Sequence, residues 1–120
     1  MKVIIAGGRD FDDYKRLCSY CDYLLQNKDD VEIVSGTAKG ADKLGEKYAK
    51  ERDFSIKRFP ADWGTHGNRA GYLRNEEMAD YGDALIAFWD GQSKGTQHMI
   101  NIADKKSLEL RIYRYERKDD

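Results

Sequence analysis

The chain has 120 residues, enough for one domain, with 40% of them hydrophobic and 36% charged. This balance excludes a disordered chain and a membrane-embedded one. Lys and Arg total 21 against 22 Asp and Glu, a formal net charge of −1, which argues against a nucleic-acid binder that lives on phosphate neutralisation. No apolar run approaches the ~18 residues of a bilayer span. The amino-terminal run Val3–Ala6 also falls far short of a signal core of roughly 7–15 residues, so a cytoplasmic protein with no membrane partner is expected.

In chain order, Lys2 to Ala6 is a short β-branched run ending at Gly7-Gly8, the pattern of a buried strand. Asp12 or Asp13 can cap the amphipathic helix that follows to about Asn27. Val31 to Val34 predicts a second strand, and Ala41 to Arg52 a second helix with Ala41, Leu44 and Tyr48 on one stripe. Phe54 to Phe59 predicts a third strand, stopped by Pro60, the only proline. A longer loop from Ala61 to Asn68 leads to a third helix from about Arg69 to Tyr81. Asp83 to Trp89 is the fourth and most apolar strand. A fourth helix then runs to about Lys106, and Leu108 to Tyr115 is the fifth strand. The domain is therefore expected to span 1–115, with 116–120 a charged, frayed tail.

Strands alternating with helices through short loops predict an α/β fold. The expected form is a single Rossmann-like, doubly wound sheet of about five parallel strands, order 3-2-1-4-5, with helices on both faces.

Cys18 and Cys21 form a C-x-x-C, but they fall on the apolar face of the first helix with Tyr14, Leu17, Leu24 and Leu25. Core thiols are the expectation, since a redox pair belongs at a helix N-terminus and zinc needs further ligands that His66 and His98 are not spaced to supply. No metal site and no cofactor are evident.

Of 11 glycines, nine lie between a strand's carboxyl end and the first turn of the next helix (Gly7, Gly8, Gly36, Gly40, Gly64, Gly67, Gly71, Gly91, Gly95). Ligands of open α/β sheets bind at that edge. Glycine there lets backbone N–H groups approach phosphate oxygens with a helix dipole behind them. Tight-turn chemistry is the alternative use. Gly36-Thr37-Ala38-Lys39-Gly40 is not a P-loop, and no G-x-G-x-x-G follows the first strand, so an ordinary NAD-dependent dehydrogenase is not expected.

Four ordered motifs carry a family resemblance. They are Gly7-Gly8-Arg9-Asp10-Phe11, Ser35-Gly36-x-x-x-Gly40-Ala41-Asp42, Arg74-Asn75-x-x-Met78 and Asp90-Gly91-x-Ser93-x-Gly95-Thr96. Together they resemble the SLOG superfamily, in particular its YspA-like, cpYpsA-related branch, over about residues 2 to 106. The cytokinin-activating (LOG-type) phosphoribohydrolases and the DNA-processing protein family are similar more distantly. The resemblance implies a Rossmann-like fold and a pocket for a nucleotide or nucleotide-derived small molecule, sensed in some members and cleaved at an N-glycosidic bond in others. It also leaves room for a homodimer. The phosphoribohydrolases read P-G-G-x-G-T-x-x-E after the fourth strand and R-K-x-x-M in the preceding helix. Here Met99 stands at the glutamate's position and Asn75 at the lysine's.

Candidate phosphate contacts are Gly7, Gly8, Arg9, Ser35, Gly36, Thr37, Gly40, Asp42, Gly91, Ser93, Gly95 and Thr96; Ser93 is equally able to cap a helix, and for Asp42 a first-turn capping role is the favoured alternative. For a hydrolase, Arg74 with Asp90 and Asp10 are the candidate catalytic groups. A carboxylate at a strand end can stabilise an oxocarbenium-like ribose or activate water; capping and dipole pairing are its alternative uses. Trp63 is the candidate base-stacking residue, with Tyr72 and Trp89 near the same edge. Binding or sensing of a nucleotide ranks first, hydrolysis of an N-glycosidic or phosphoester bond second, and single-stranded nucleic-acid binding third.

Overall fold

The structure, a computed structural model, describes residues 1–117. Val3-Ile4-Ile5 has no polar face to leave in water, and a strand covered on both sides is how such a run is buried. It forms β1 (Lys2–Gly7) at the centre of the sheet, followed by α1 (Tyr14–Leu25), β2 (Glu32–Ser35), α2 (Ala41–Glu51) and β3 (Ser55–Arg58). The chain then crosses back through α3 (Trp63–His66), a 3-10 turn (Gly67–Arg69) and α4 (Ala70–Tyr81) to β4 (Ala84–Trp89), α5 (Lys94–Lys105) and β5 (Glu109–Arg114).

All strand pairs are parallel and the order is β3-β2-β1-β4-β5. The doubly wound fold read from the alternation is the one observed. The sheet has two buried faces. Val3, Ile5, Ile86 and Phe88 pack with Leu17, Cys21 and Tyr48 of α1 and α2, whereas Ile4, Ala6, Leu85 and Ala87 pack with Met78, Ala79, Met99 and Ala103 of α4 and α5. The side-chain period of two divides each central strand between the two cores. β1 and β4 therefore flank the topological switch point, aligned from Val3 opposite Ala84 to Gly7 opposite Phe88.

Local chemistry sets the boundaries. Asp13 caps α1, its carboxylate accepting the Arg16 N–H at 3.1 Å. The segment read as a loop from Ala61 to Asn68 instead contains α3, because Asp62 caps it by accepting the Thr65 N–H at 3.1 Å. The thiols of Cys18 and Cys21 are free, and Cys21 lies in the core, where burial pushes its thiol well above the ordinary range. Among the described residues no helix is long and apolar enough to cross a membrane. The expected tail divides: 118–120 lie outside the described residues, while Arg117 folds back onto the sheet's carboxyl edge.

Candidate functional site

The loops after β1, β2 and β4 converge beside α4 on a cavity of about 590 Å³, a size typical of small-molecule sites. The turn after β1 forms part of its floor. Gly8 donates its N–H to the Phe88 carbonyl at 3.0 Å, and a Cβ on Gly7 would stand 2.3 Å from that same oxygen. Glycine at position 7 thus lets β1 and β4 stay paired to the edge of the cavity. The turn after β2 leans on this one. Gly40 has φ +79°, and a Cβ there would meet the Gly8 carbonyl oxygen at 2.2 Å.

Arg74 on α4 is the best-built cation of the cavity. It is partly buried, its Nη1 donates to the Gly36 carbonyl, and its Nε donates to Asn75 Oδ1 at 3.0 Å. Gly36 is bare for this purpose, since a Cβ would lie 2.8 Å from both Arg74 Nη1 and Asp42 Oδ2. The Arg74 Nη2 makes no hydrogen bond among the described residues and no buried side-chain nitrogen is left unpaired, so this donor opens to the cavity. Burial pulls the guanidinium below its usual pKa, and Asp42 opposes that pull. Arg9 also lines the cavity, exposed and without an ion pair among the described residues.

The amino end of α5 faces these arginines. Asn75 donates from Nδ2 to the Gly95 carbonyl at 3.3 Å and lies 3.2 Å from His98 Nδ1, tying α4 to α5. Ser93 makes no side-chain cap bond; its Oγ lies 3.3 Å from Thr96 Oγ1. The N–H groups of Lys94, Gly95 and Thr96, in the helix's first turn, have no partner among the described residues. A Cβ on Gly95 would meet nothing within 4 Å. Free N–H donors with the helix dipole behind them can hold an anion.

Three carboxylates complete the lining. Asp90 is buried, and its Oδ1 accepts the N–H groups of Gln92 at 2.8 Å and Ser93 at 2.7 Å, shaping the turn into α5. Arg117 Nε lies 3.1 Å from Asp10 Oδ2 and 3.4 Å from Asp90 Oδ2, bridging the ends of β1 and β4. A hydrogen bond from Tyr115, joined by Arg117, holds the Asp10 carboxyl below its ordinary pKa. Asp42, on α2, is only 5% exposed and accepts the Ala38 N–H on Oδ2 at 3.2 Å. Burial pushes its carboxyl up to about 6, against the pull of the Ala38 N–H and of Arg74.

Trp63 and Tyr72 stand at the rim, 50% and 46% exposed, and both line the cavity. Tyr72 packs against His98 with ring centres 4.6 Å apart. Trp89 is instead partly buried, donating Nε1 to the Ser93 carbonyl at 3.1 Å.

Of the residues singled out in the sequence, the cavity is lined by Gly7, Gly8, Arg9, Asp10, Asp42, Trp63, Arg74, Asp90, Ser93, Gly95 and Thr96. Ser35, Gly36, Thr37, Gly40 and Gly91 are not in the lining. Ser35 is buried, donating to Glu46 Oε2 at 2.7 Å and accepting the Thr37 N–H at 3.0 Å. Gly91, at φ +82°, makes room for the Arg114 guanidinium. Met99, on α5, packs in the core and is part of the cavity lining. Arg117, Asn68 and Gln92 were missed. Arg117 carries no signal within a charged terminal run, and the other two are ordinary polar residues, Asn68 in the 3-10 turn and Gln92 in the loop after β4. Among the described residues no three His, Cys, Asp or Glu come together as a metal site.

An open parallel sheet with a polar crevice at its switch point defines a Rossmann-like α/β domain. The model of the YspA, cpYpsA-related SLOG family matches residues 1–66, which carry the loops after β1 and β2. Gene 61 protein of Mycobacterium phage D29 is 33% identical over 114 residues, covering 89% of this chain and 91% of the relative. No solved structure matches. The chain belongs to the YspA, cpYpsA-related SLOG family.

Proposed function

We propose that this protein binds a nucleotide or nucleotide-derived anion in the cavity, with its phosphate on the first turn of α5 and its base at Trp63 and Tyr72. The observation that carries this is the pairing of unused donors with exposed aromatics across one cavity. The Gly95 and Thr96 amides and Arg74 Nη2 are free of partners among the described residues, and these three residues and both rings line the same space. Phosphate matches the donors, and a base has the flat face the rings can stack on. Membership of a SLOG family points to the same ligand class.

Binding is favoured over cleavage by the state of the carboxylates. Asp90 is engaged by two backbone N–H groups, and Asp10 and Asp90 share Arg117. Both are thereby held as positioning groups. A cytoplasmic setting suits such a ligand and accords with two free thiols.

A thermal-shift panel of AMP, ADP, ATP, GTP, NAD, ADP-ribose, cyclic nucleotides and a short single-stranded DNA tests this. A ligand at ~100 times its Kd adds about 2.7 kcal/mol, a rise of several degrees in Tm. One nucleotide class is expected to shift the melt and to be recovered intact by chromatography. Recovery of a free base or of inorganic phosphate would make the protein a hydrolase. A flat panel would remove the nucleotide assignment.

A further inference from the structure

Asp42 is not needed for the phosphate contacts, yet it is, with Asp90, one of two buried carboxylates in the cavity wall. Its Oδ2 is occupied by the Ala38 N–H, whereas Oδ1 has no hydrogen-bond partner among the described residues. No buried side-chain oxygen is left unsatisfied, and Asp42 lines the cavity, so Oδ1 opens onto it. A carboxylate accepts and does not donate. Phosphate is disfavoured there by like charge, and an ionised oxygen on the cavity wall accepts a hydrogen bond from whatever fills the space.

Resting on the nucleotide reading above, we propose that Asp42 recognises the ligand's sugar. Its Oδ1 accepts a hydrogen bond from a ribose hydroxyl, so that the cavity selects ribonucleotides over deoxyribonucleotides. The placement fits a nucleotide's own layout. The sugar lies between phosphate and base, and Asp42 enters the cavity from α2, apart from both the α5 amides and the rim aromatics. Arg74 steadies the carboxylate from α4, with the bare Gly36 letting the two side chains converge. Sites built around a buried acceptor discriminate strongly, because a ligand lacking the hydroxyl leaves that acceptor unpaired.

The experiment is calorimetric titration of AMP, GMP, CMP and UMP, each against its 2′-deoxy and 2′,3′-dideoxy counterpart, on the wild-type chain and on Asp42→Asn. In the wild type, the ribose form of the bound base is expected to bind at least about tenfold tighter than a deoxy form. In Asp42→Asn, with folding checked by its melt, that ratio is expected to fall within about threefold. A second readout needs no variant. The wild-type ratio is expected to shrink from pH 8 to pH 5 as the carboxyl takes up a proton, with Arg74, Arg9 and Glu46 the charged groups facing it. Equal affinity for ribose and deoxyribose forms in the wild type, or a ratio untouched by both Asp42→Asn and pH, overturns the sugar assignment and leaves nucleotide binding standing. Absence of binding by every nucleotide, in this titration and in the thermal-shift panel alike, overturns both.

Discussion

The turns after β1 and β2 and the turn after β4 sit at one sheet edge and are equally rich in glycine, yet they use it differently. In the first region glycine is consumed by packing. A Cβ on Gly7, Gly36 or Gly40 would stand 2.3, 2.8 or 2.2 Å from another atom of the protein. In the second, Gly91 is likewise spent on packing, against Arg114, but Gly95 faces open space and its N–H is unspent. The first region therefore builds the wall of the cavity and the second supplies donors to its contents. Glycine at a strand's carboxyl end signals close approach, but the approaching partner can be the protein itself.

The largest expected effect comes from spoiling a packing glycine. Gly40→Ala combines a left-handed backbone with a clash against the Gly8 carbonyl, and a loss of roughly 3 kcal/mol in urea denaturation is expected. Asp42→Asn probes the same wall through pH. The raised carboxyl pKa means the folded state binds a proton between about pH 4 and 6 where the unfolded chain does not. The stability this group contributes is therefore lost as pH rises through 6. Asp42→Asn should gain on the wild type by on the order of 2 kcal/mol between pH 4 and 7, seen by denaturation at each pH.

Smaller effects fall on the ligand side. Arg74→Lys cannot reproduce the planar fork that holds the Gly36 carbonyl and Asn75, so nucleotide affinity should drop about tenfold or more by calorimetry. Trp63→Ala, at an exposed rim position, should weaken binding by the ~1–3 kcal/mol of one stacked base. Its stability should change by less than about 0.5 kcal/mol. Gly95→Ala should be nearly silent in stability, within about 0.5 kcal/mol, yet it should weaken ligand binding measurably. Equal destabilisation by Gly40→Ala and Gly95→Ala would erase the contrast between the two turns.

The strand order was legible because alternating apolar runs and βα turns admit few right-handed solutions. The site was legible in part, for a reason visible at single residues. Arg74, Gly95 and Thr96 were recognisable because their chemistry is local: a fork on a helix face, and donors at a helix start. Ser35 and Gly36 carry the same residue signals, but Glu46 and Arg74, distant in sequence, claim them in the fold. Asp42 was readable as a capping acid; only the packing of α2 against the cavity makes it a buried acceptor. Arg117 gains its meaning from β5 bringing the chain end beside β1 and β4, a contact that no terminal charge pattern announces.

The most direct measurement is an amide NMR titration of the 15N-labelled chain with the nucleotide that most raises its melting temperature. The Lys94, Gly95 and Thr96 resonances are expected to move furthest, with the Trp63 indole shifting alongside and the Gly40 amide moving least among the loop glycines. Saturable shifts confined to α1 or the β5 edge, with the α5 amides unmoved, would contradict a nucleotide site at the switch point.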